Sequence, residues 1–391
     1  MVSYLKVLSL NVNGITETTK RRVIFDHIRE SKANIIFLQE TLSKPQEEAR
    51  WTKEWTCGCA AFNSNSETEQ RKNGVAILTN STNLVISNNN TDTRGRIITA
   101  QIDTGIQYIQ LVNIYAPSGG TNRIENKIFF DNLYPYVHST HPIIFGGDFN
   151  NIEDPNLDCF PPRPDHRLNK PLQQIMRTFS LKDAYRTLHP NGNQFTRHST
   201  QTHSRLDRLY TSPEITPEKQ IFKSNPLSDH DTIILTTRIP LKHGSIRTAW
   251  KNNVKNFVDH ELIFDLEAKY TEWKALATDL TENPLQLWLF LKTKIKLLLI
   301  KHSKRITQEN RREIQDLQQS LERIRQELEN TPTKEKLKTY NERKKQLKIK
   351  LIQRQRENIL KSLADDINYK HMADKTVYSS IKERKTQSII Q

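Results

Sequence analysis

Four residues, Gly147-Asp148-Phe149-Asn150, close the apolar run Pro142-Ile143-Ile144-Phe145, so a carboxylate and an amide emerge where a buried stretch ends. The same punctuation recurs along the chain. Leu10-Asn11-Val12-Asn13-Gly14 and Gln39-Glu40-Thr41 stand upstream, and Arg205-Leu206-Asp207-Arg208 and Ser228-Asp229-His230 stand downstream. Each lies at or near the end of a β-like stretch, where a rigid scaffold can gather side chains round one cleft. These group types suit metal-assisted cleavage of a phosphate ester. That chemistry needs an activated water, neutralisation of charge on the phosphorus oxygens and help for the leaving oxygen. A hard cation such as Mg²⁺ supplies the last two, and it prefers one or two carboxylates plus waters.

Glu40, at the end of an apolar strand, is the first candidate ligand. Asp148 follows Gly146-Gly147, which lets the backbone turn tightly before the carboxylate emerges. His230 either accepts a proton from water or stabilises developing charge. Asp229 is its chain neighbour and points elsewhere, so the carboxylate that orients the imidazole comes from another segment, and Asp207 is the obvious supplier. Asn11 and Asn150 offer amide donors to phosphate oxygens without adding negative charge. Each motif also has a bland reading: a capping glutamate, an Asp-Phe-Asn turn, a Ser-Asp-His cap, local Asx bonding. Their joint, ordered occurrence favours the chemical reading.

The elements that must hold these groups are legible as buried strands. Residues 4–12, Ile35–Leu38, Val75–Leu78, Arg96–Ile102, Tyr108–Tyr115, Ile143–Phe145, Leu206–Tyr210 and Thr232–Thr237 carry β patterning. Helical periodicity marks Lys20–Ser31, Ile124–Val137 and Leu172–Phe179. Strands mixed with helices and joined by Asn-, Ser- and Pro-rich loops predict an α/β or α+β layered domain ending near Pro240.

Beyond Trp250 the texture changes. Gly and Pro nearly vanish, and Lys, Glu, Gln, Arg and Leu dominate, as in long helices. Ile314, Leu317, Leu321, Ile324 and Leu328 recur at coiled-coil spacing. Asn330-Thr331-Pro332-Thr333 breaks that helix, and Leu337, Tyr340, Leu347 and Leu351 form a second periodic set. An antiparallel helical hairpin around 306–360 is the expectation; a single solvated helix or an intermolecular coil is the alternative. The domain plan is therefore 1–240 followed by a basic helical extension over 241–391.

The 391 residues carry a formal net charge of +15, unevenly spread. Residues 1–240 hold 27 Lys and Arg against 24 Asp and Glu, a net of +3, whereas the rest hold 32 against 20, a net of +12. Such an excess attracts phosphate backbones, with an affinity that falls as salt rises. Cys57, Cys59 and Cys159 are too few for a disulfide framework and have no zinc-finger partners, so they read as reduced thiols. No secretory signal stands at the N terminus, and Lys292, Lys294 and Lys296 interrupt the most apolar later stretch. The expectation is a soluble intracellular protein.

Taken in order, Asn11-Val12-Asn13-Gly14, Gln39-Glu40, Asn113-Ile114-Tyr115-Ala116-Pro117, Gly147-Asp148-Phe149-Asn150, Arg205-Leu206-Asp207 and Ser228-Asp229-His230 resemble the endonuclease/exonuclease/phosphatase superfamily. The likeness is to the apurinic-endonuclease-like domain that opens the second open reading frame of LINE-type non-LTR retrotransposons, and it covers residues 1 to about 240. The resemblance implies a four-layer α/β sandwich, two packed sheets with helices outside. It implies Glu40 as a Mg²⁺ ligand (Mn²⁺ serving as well), Asn11 as a metal-site or phosphate contact, and Asp229 beside the metal. Asp148 and Asn150 would handle the attacking water and the phosphate, Asp207 and His230 would form a dyad, and Tyr115 would touch the scissile phosphate. Thr196 matches a DNA-contacting position, and Arg205 and Arg208, which flank Asp207, join it as substrate-binding candidates. Asn13 departs from the Asp usual in repair enzymes of this kind, and Ser118 departs from a common Asn.

The expected activity is Mg²⁺-dependent nicking of target DNA to leave a 3′-hydroxyl that primes reverse transcription, with action on genomic DNA in the nucleus. RNA is a second expected partner, through the basic extension. With no Tyr-x-Asp-Asp and no zinc knuckle, the chain reads as an N-terminal fragment or a truncated copy. The alternatives are a stand-alone phosphoesterase acting on inositol phosphates or lipid headgroups, and a catalytically inactive nucleic-acid-binding protein.

Overall fold

The computed structural model describes residues 3–81, 83–118, 123–162, 169–199, 202–241, 259–280, 283–330 and 333–371. Among these, the first sheet runs edge to edge through Pro217–Lys223, Thr232–Leu241, Ser3–Asn11, Ile35–Gln39, Val75–Thr79 and Ala60–Asn63. The second runs through Lys182–Asp183, Asp207–Thr211, Ile143–Asp148, Tyr108–Tyr115, Ile97–Asp103 and Ile86–Thr91. A small third sheet joins Arg197–His198, His203–Ser204 and Cys159–Phe160.

Each large sheet contains one central parallel pair, and a parallel pair needs a crossover. Ser3–Asn11 pairs parallel with Ile35–Gln39, with helix Thr18–Ser31 as the crossover. Tyr108–Tyr115 pairs parallel with Ile143–Asp148, and helices Arg123–Asp131 and Tyr134–Val137 lie between them in sequence. The expected single helix over 124–137 is thus two, and Pro135 begins the second as a helix-starting proline.

Residues alternate along these strands, and both faces are buried. Leu5, Val7, Ile35, Phe37, Val75 and Ile77 from the first sheet meet Ile98, Ala100, Ile109, Leu111, Ile144 and Leu209 from the second. On the far side of the second sheet, Val112, Ile114, Phe145 and Tyr210 pack with Phe130, Leu133, Leu172 and Ile175 from its helices. Beyond the first sheet, Val23, Ile24, Phe25 and Ile28 form the buried stripe of Thr18–Ser31, and Phe25 contacts Trp55 edge-on. Each such fully buried side chain contributes about 1.5–3 kcal/mol. The result is the expected four-layer α/β sandwich. Edge strands Ala60–Asn63, Ile86–Thr91 and Pro217–Lys223, and helix Pro45–Glu54, were not marked by the sequence pattern. They are short or polar, and one-face burial leaves them without a continuous apolar run.

Further on stand helices His260–Leu280, Pro284–Asn330 and Lys334–His371. Thr331 and Pro332, where the sequence predicts a break, lie outside the described residues. The described residues fall into two compact units. One draws on Met1–Ser245 together with Gln318–Ile349; the other draws on Ile246–Leu317 and Lys350–Gln391. The tips of the two long helices therefore pack with the sandwich, although the sequence break falls at residue 240. Within the second unit Lys350 Nζ meets Glu313 Oε1 at 2.5 Å, which sets the two long helices side by side, and His302 Nε2 lies 3.0 Å from Asp259 Oδ2. Among the described residues Cys57, Cys59 and Cys159 form no disulfide, and Cys57 Sγ accepts a bond from Arg29 Nε at 3.1 Å. Among the described residues no helix is long and apolar enough to cross a membrane.

Candidate active site

Strand register brings the acids together. Asp207 lies opposite Asp148 on the antiparallel neighbour, and Tyr115 lies beside Asp148 on the parallel one. Side chains placed opposite each other in this way have Cβ atoms about 4.5–5.5 Å apart. Gly147 permits the approach of these strands: at φ +131° a Cβ there would sit 2.0 Å from the Ile114 carbonyl oxygen.

His230 completes the cluster. Its Nδ1 is 2.7 Å from Asp207 Oδ2, and its Nε2 is 3.9 Å from Asp148 Oδ2. The His230 backbone N–H donates to Ser228 Oγ at 3.0 Å, and the Ser228 hydroxyl donates to the Asn11 carbonyl at 2.6 Å. The histidine loop is therefore tied to the first strand, 217 residues earlier in the chain.

Amides surround Asp148. Asn11 Nδ2 donates to its Oδ2 at 3.0 Å, and the Asn150 backbone N–H donates to its Oδ1 at 2.9 Å. Asn150 Nδ2 donates to the Ala116 carbonyl at 2.8 Å. Asn11 Oδ1 accepts from the Asn13 backbone at 3.0 Å, and Asn13 Nδ2 reaches Asp229 Oδ1 at 3.1 Å. On the opposite rim the Tyr115 hydroxyl donates to Glu40 Oε1. Asn13, Glu40 and Asn150 adopt φ of 46°, 52° and 46°. Non-glycine residues held in this left-handed region gather at functional sites, where surrounding structure imposes them.

The charges follow from burial and proximity. Burial opposes the imidazolium of His230, but the Asp207 carboxylate and its hydrogen bond outweigh it, with Asp148 and Asp229 adding to them; the ring is raised to about 10. Burial, and then Asp207, pushes Asp148 up to about 6. Burial opposes ionisation of Asp229, yet His230, Arg197 and Asn13 hold it below the ordinary carboxylate range. Tyr115 is raised by burial and by Glu40, so its hydroxyl stays a donor. At neutral pH the site thus holds the His230 imidazolium, a largely ionised Asp148, an ionised Asp229 and the Tyr115 phenol.

The donors fit a divalent cation. Carboxylate oxygens of Asp148 and Asp207 lie within 4.8 Å of each other, beside the charged His230 ring, and Asp207 Oδ1 is buried without a hydrogen-bond partner. Two facing carboxylates, one held up by the other, are relieved by a positive ion. Glu40 and Asp229 add oxygens at the rim, and both act on the ammonium of Lys20. Oxygen-rich donors are what Mg²⁺ or Mn²⁺ takes.

Eight of the anticipated residues gather here: Asn11, Glu40, Tyr115, Asp148, Asn150, Asp207, Asp229 and His230. Three do not reach the cleft surface. Thr196 is fully buried, and its hydroxyl accepts the backbone N–H groups of Leu206 and Asp207 at 3.0 and 3.1 Å. It supports the dyad strand rather than a substrate. Arg205 is buried against Asp158, Nε to Oδ1 at 2.8 Å, and Asp183, Nη1 to Oδ2 at 2.5 Å. Arg208 donates to Asn151 Oδ1 and to the Asn151 carbonyl, each at 2.7 Å. Their sequence position beside Asp207 suggested substrate contact, but buried partners, Asp158 and Asp183 for Arg205 and Asn151 for Arg208, take them inside.

Sequence reasoning missed the residues that bind the sheets together. Asn113, fully buried, donates to the Leu38 and Ala76 carbonyls, both at 2.9 Å, and accepts from Gln39 Nε2 at 2.7 Å. It fastens the Tyr115 strand to the strand Ile35–Gln39, which Glu40 follows. Arg96 Nη1 donates to the Tyr115 carbonyl at 3.1 Å, and its guanidinium lies 5.2 Å from the Tyr115 ring centre. An Asn inside an otherwise apolar strand was the available signal, since a buried amide must find partners.

The layered sandwich thus carries acids, amides and a carboxylate-bound imidazole at its strand ends. A sequence profile of the Endonuclease/Exonuclease/phosphatase family matches residues 8–230, and the chain belongs to that family. It is similar to the "Transposon TX1 uncharacterized 149 kDa protein" of Xenopus laevis, 27% identical over 355 residues, which is 88% of this chain and 26% of that protein. The chain spans about a quarter of that relative's length. Among solved structures, an AP endonuclease from Archaeoglobus fulgidus aligns with a TM-score of 0.51 at 19% identity, covering 60% of this chain and 100% of that one. A 3′ phosphatase from Neisseria, bound to a product DNA hairpin, gives 0.51 at 18% identity, with 60% and 100% covered. Identities this low speak to the fold alone.

Proposed function

We propose that the chain is a divalent-metal-dependent DNA endonuclease that nicks one strand and leaves a 3′-hydroxyl. The observation that carries the reading is the Asp207–His230–Asp148 cluster, set opposite the Glu40–Tyr115 pair on the ends of two facing sheets. The transposon-protein relative supports a role in which that hydroxyl primes reverse transcription at a genomic target, as in a LINE-type element.

Asp148, poised at about 6, is the group suited to take the proton of an attacking water near neutral pH. Asn11 and the Asn150 backbone orient its two oxygens. His230, charged and buried, faces the same point through Nε2 and stabilises charge on a phosphorus oxygen; Asp207 holds it there. The Tyr115 phenol gives its proton to Glu40 and so aims that carboxylate into the site. A Mg²⁺ ion held by Glu40, with Asn11 and Asp229 near, would supply further charge neutralisation at the phosphate.

Conversion of supercoiled plasmid to the open circle in Mg²⁺, measured for the parent chain, Asp148→Ala and His230→Ala, tests the reading. Loss of nicking in both variants is expected, with about 10²–10⁴-fold slowing for a lost proton-transfer group. Equal rates in all three proteins reject the assigned site. Phosphate release from inositol phosphates without plasmid nicking would favour a phosphomonoesterase instead.

A further inference from the structure

The long helices return to the nuclease at a particular place. Residues Gln318–Ile349, the two helix tips, belong to the same compact unit as the sandwich. Arg325, nearly fully buried, sets Nη1 3.4 Å from Asp231 Oδ2, and Asp231 follows His230 in sequence. Asp231 also meets His198 Nε2 at 3.0 Å. The Tyr340 hydroxyl lies 3.0 Å from Ser224 Oγ. The tip thus sits on the loop that carries the histidine.

Beside this contact lies a cleft of about 600 Å³. Lys20, Arg197, Asn13 and Asp229 line it from the sandwich, and Lys344 and Lys348 line it from the helix tip. Four cations face one carboxylate. Arg197 Nε lies 3.5 Å from Asp229, and Lys20 Nζ donates to the Asn13 carbonyl at 2.6 Å. Among the described residues, no carboxylate forms an ion pair with Lys20, Lys344 or Lys348. Burial and the repulsion of Lys348 bring Lys20 down to about 8, and burial lowers Lys344 as well. Asp229 is the one carboxylate that lines the cleft, so its four cations leave an excess of positive charge that an anion would balance. Because Asn13 and Asp229 belong both to this cleft and to the rim of the catalytic cluster, an anion here is continuous with the reacting phosphate.

We propose that Lys344 and Lys348 of the helix tip, with Lys20 and Arg197 of the sandwich, form a clamp for the DNA backbone next to the scissile phosphate. The clamp rests on the endonuclease reading for its ligand, and it makes the helical extension part of the substrate site rather than a tether. The substrate strand leaves the catalytic cluster past Asp229 and passes between the sandwich and the tip. A ring of point charges on flexible stems contacts phosphates without reading bases.

The test uses the full chain and a fluorescent 30-base-pair duplex in EDTA, so that binding is measured without cleavage. Lys344→Gln with Lys348→Gln is compared with Lys338→Gln and Lys345→Gln, an equal charge change outside the cleft. Each lost phosphate contact reduces the salt slope by about 0.9, so the cleft variant loses about 2 in slope. At least tenfold weaker binding accompanies it, and in nicking assays KM rises while kcat holds. Lys348→Glu, at an exposed position, repeats the measurement without disturbing the buried tip. Slopes and affinities equal to those of the control pair overturn the clamp. Single-stranded RNA sensing the cleft variant while duplex DNA does not would overturn the DNA assignment. A parent that binds with the full slope yet never nicks removes the endonuclease reading and leaves the cleft measurement standing.

Discussion

Asp207 accepts from or pairs with His230 Nδ1 at 2.7 Å while sitting opposite Asp148 on the neighbouring strand. One carboxylate therefore does two electrical jobs: it keeps the imidazole charged and it raises the partner acid. Neither effect requires the groups to touch substrate, and both are measurable on the resting protein.

Asp207→Ala removes the main force that opposes burial at His230. In metal-free protein the ring should titrate near 10 in the parent and below the ordinary 6.5 in the variant. A raised folded value means that the stabilisation is complete below 6.5 and fades as pH climbs through about 10. The parent should therefore lose stability across that window, and the variant should not. NMR titration of the His230 ring, with thermal melts from pH 6 to 10, reads both. An unchanged ring titration contradicts the dyad.

Asp158 anchors a buried network of arginines. Arg205 Nε lies 2.8 Å and Arg186 Nη2 2.5 Å from its Oδ1, and Arg208 Nη2 lies 3.6 Å from its Oδ2. Burial opposes its ionisation, but Arg205 and Arg208 hold it far below the usual range. A depressed folded value gives stability that is present above the ordinary carboxylate range and lost as pH falls below it. Asp158→Asn leaves buried guanidinium groups without their counter-charge, a loss of about 3–5 kcal/mol. Tm should drop by about 10 °C at neutral pH, since a domain of this size moves roughly 2–4 °C per kcal/mol. The gap between parent and variant should begin to narrow as pH falls below about 4 and keep narrowing below pH 3. A constant gap would show that the network does not titrate with folding.

Gly147 separates a backbone requirement from a chemical one. An added Cβ meets the Ile114 carbonyl carbon at 2.9 Å and its oxygen at 2.0 Å, and φ is +131°. Gly147→Ala must push apart the Tyr115 and Asp148 strands, and overpacking of this sort costs about 1–3 kcal/mol or more. Nicking should fall with stability, because the displaced strand carries Asp148. Full activity at unchanged Tm would mean that this strand pair tolerates spreading.

The central strands were legible because burial on both faces writes an uninterrupted apolar run. Tyr108–Tyr115 was read to the residue, and Ile143–Phe145 fell three residues short because Gly146 and Gly147 look like a turn although both pair in the ladder. The convergence of distant motifs at one site was legible only through their order and likeness to a family. Spacing alone says nothing of Asp207 facing Asp148 across 59 residues of chain. What escaped was contingent on packing: the inward turn of Arg205 and Arg208 depends on Asp158 arriving from another loop, and the fold-back of Gln318–Ile349 depends on a buried Arg325–Asp231 contact. A coiled-coil seam predicts a helical partner, and Ile314, Leu321 and Leu328 are indeed buried. It does not predict that a charged residue between them meets the sandwich.

Glu40 offers the sharpest test of metal assistance. Its backbone is held at φ 52° and its carboxylate accepts from Tyr115, so the side chain is aimed by both its own strand end and the facing sheet. Tyr115→Phe removes the aiming bond and leaves the carboxylate. Nicking should fall about tenfold, the scale of 1.4 kcal/mol for one charge-assisted hydrogen bond, with little change in the Mg²⁺ concentration needed for half-maximal rate. Glu40→Ala removes the oxygen donors themselves, and the Mg²⁺ requirement should rise by at least tenfold with a loss of maximal rate, in line with the 10–100-fold effects seen when support of a metal site is lost. Calorimetric titration of Mn²⁺ into both proteins separates binding from turnover: weaker binding in Glu40→Ala alone is expected. Identical metal titrations for parent, Tyr115→Phe and Glu40→Ala would place the cation elsewhere, between Asp148 and Asp207, and would leave Glu40 a role in orienting Tyr115 only.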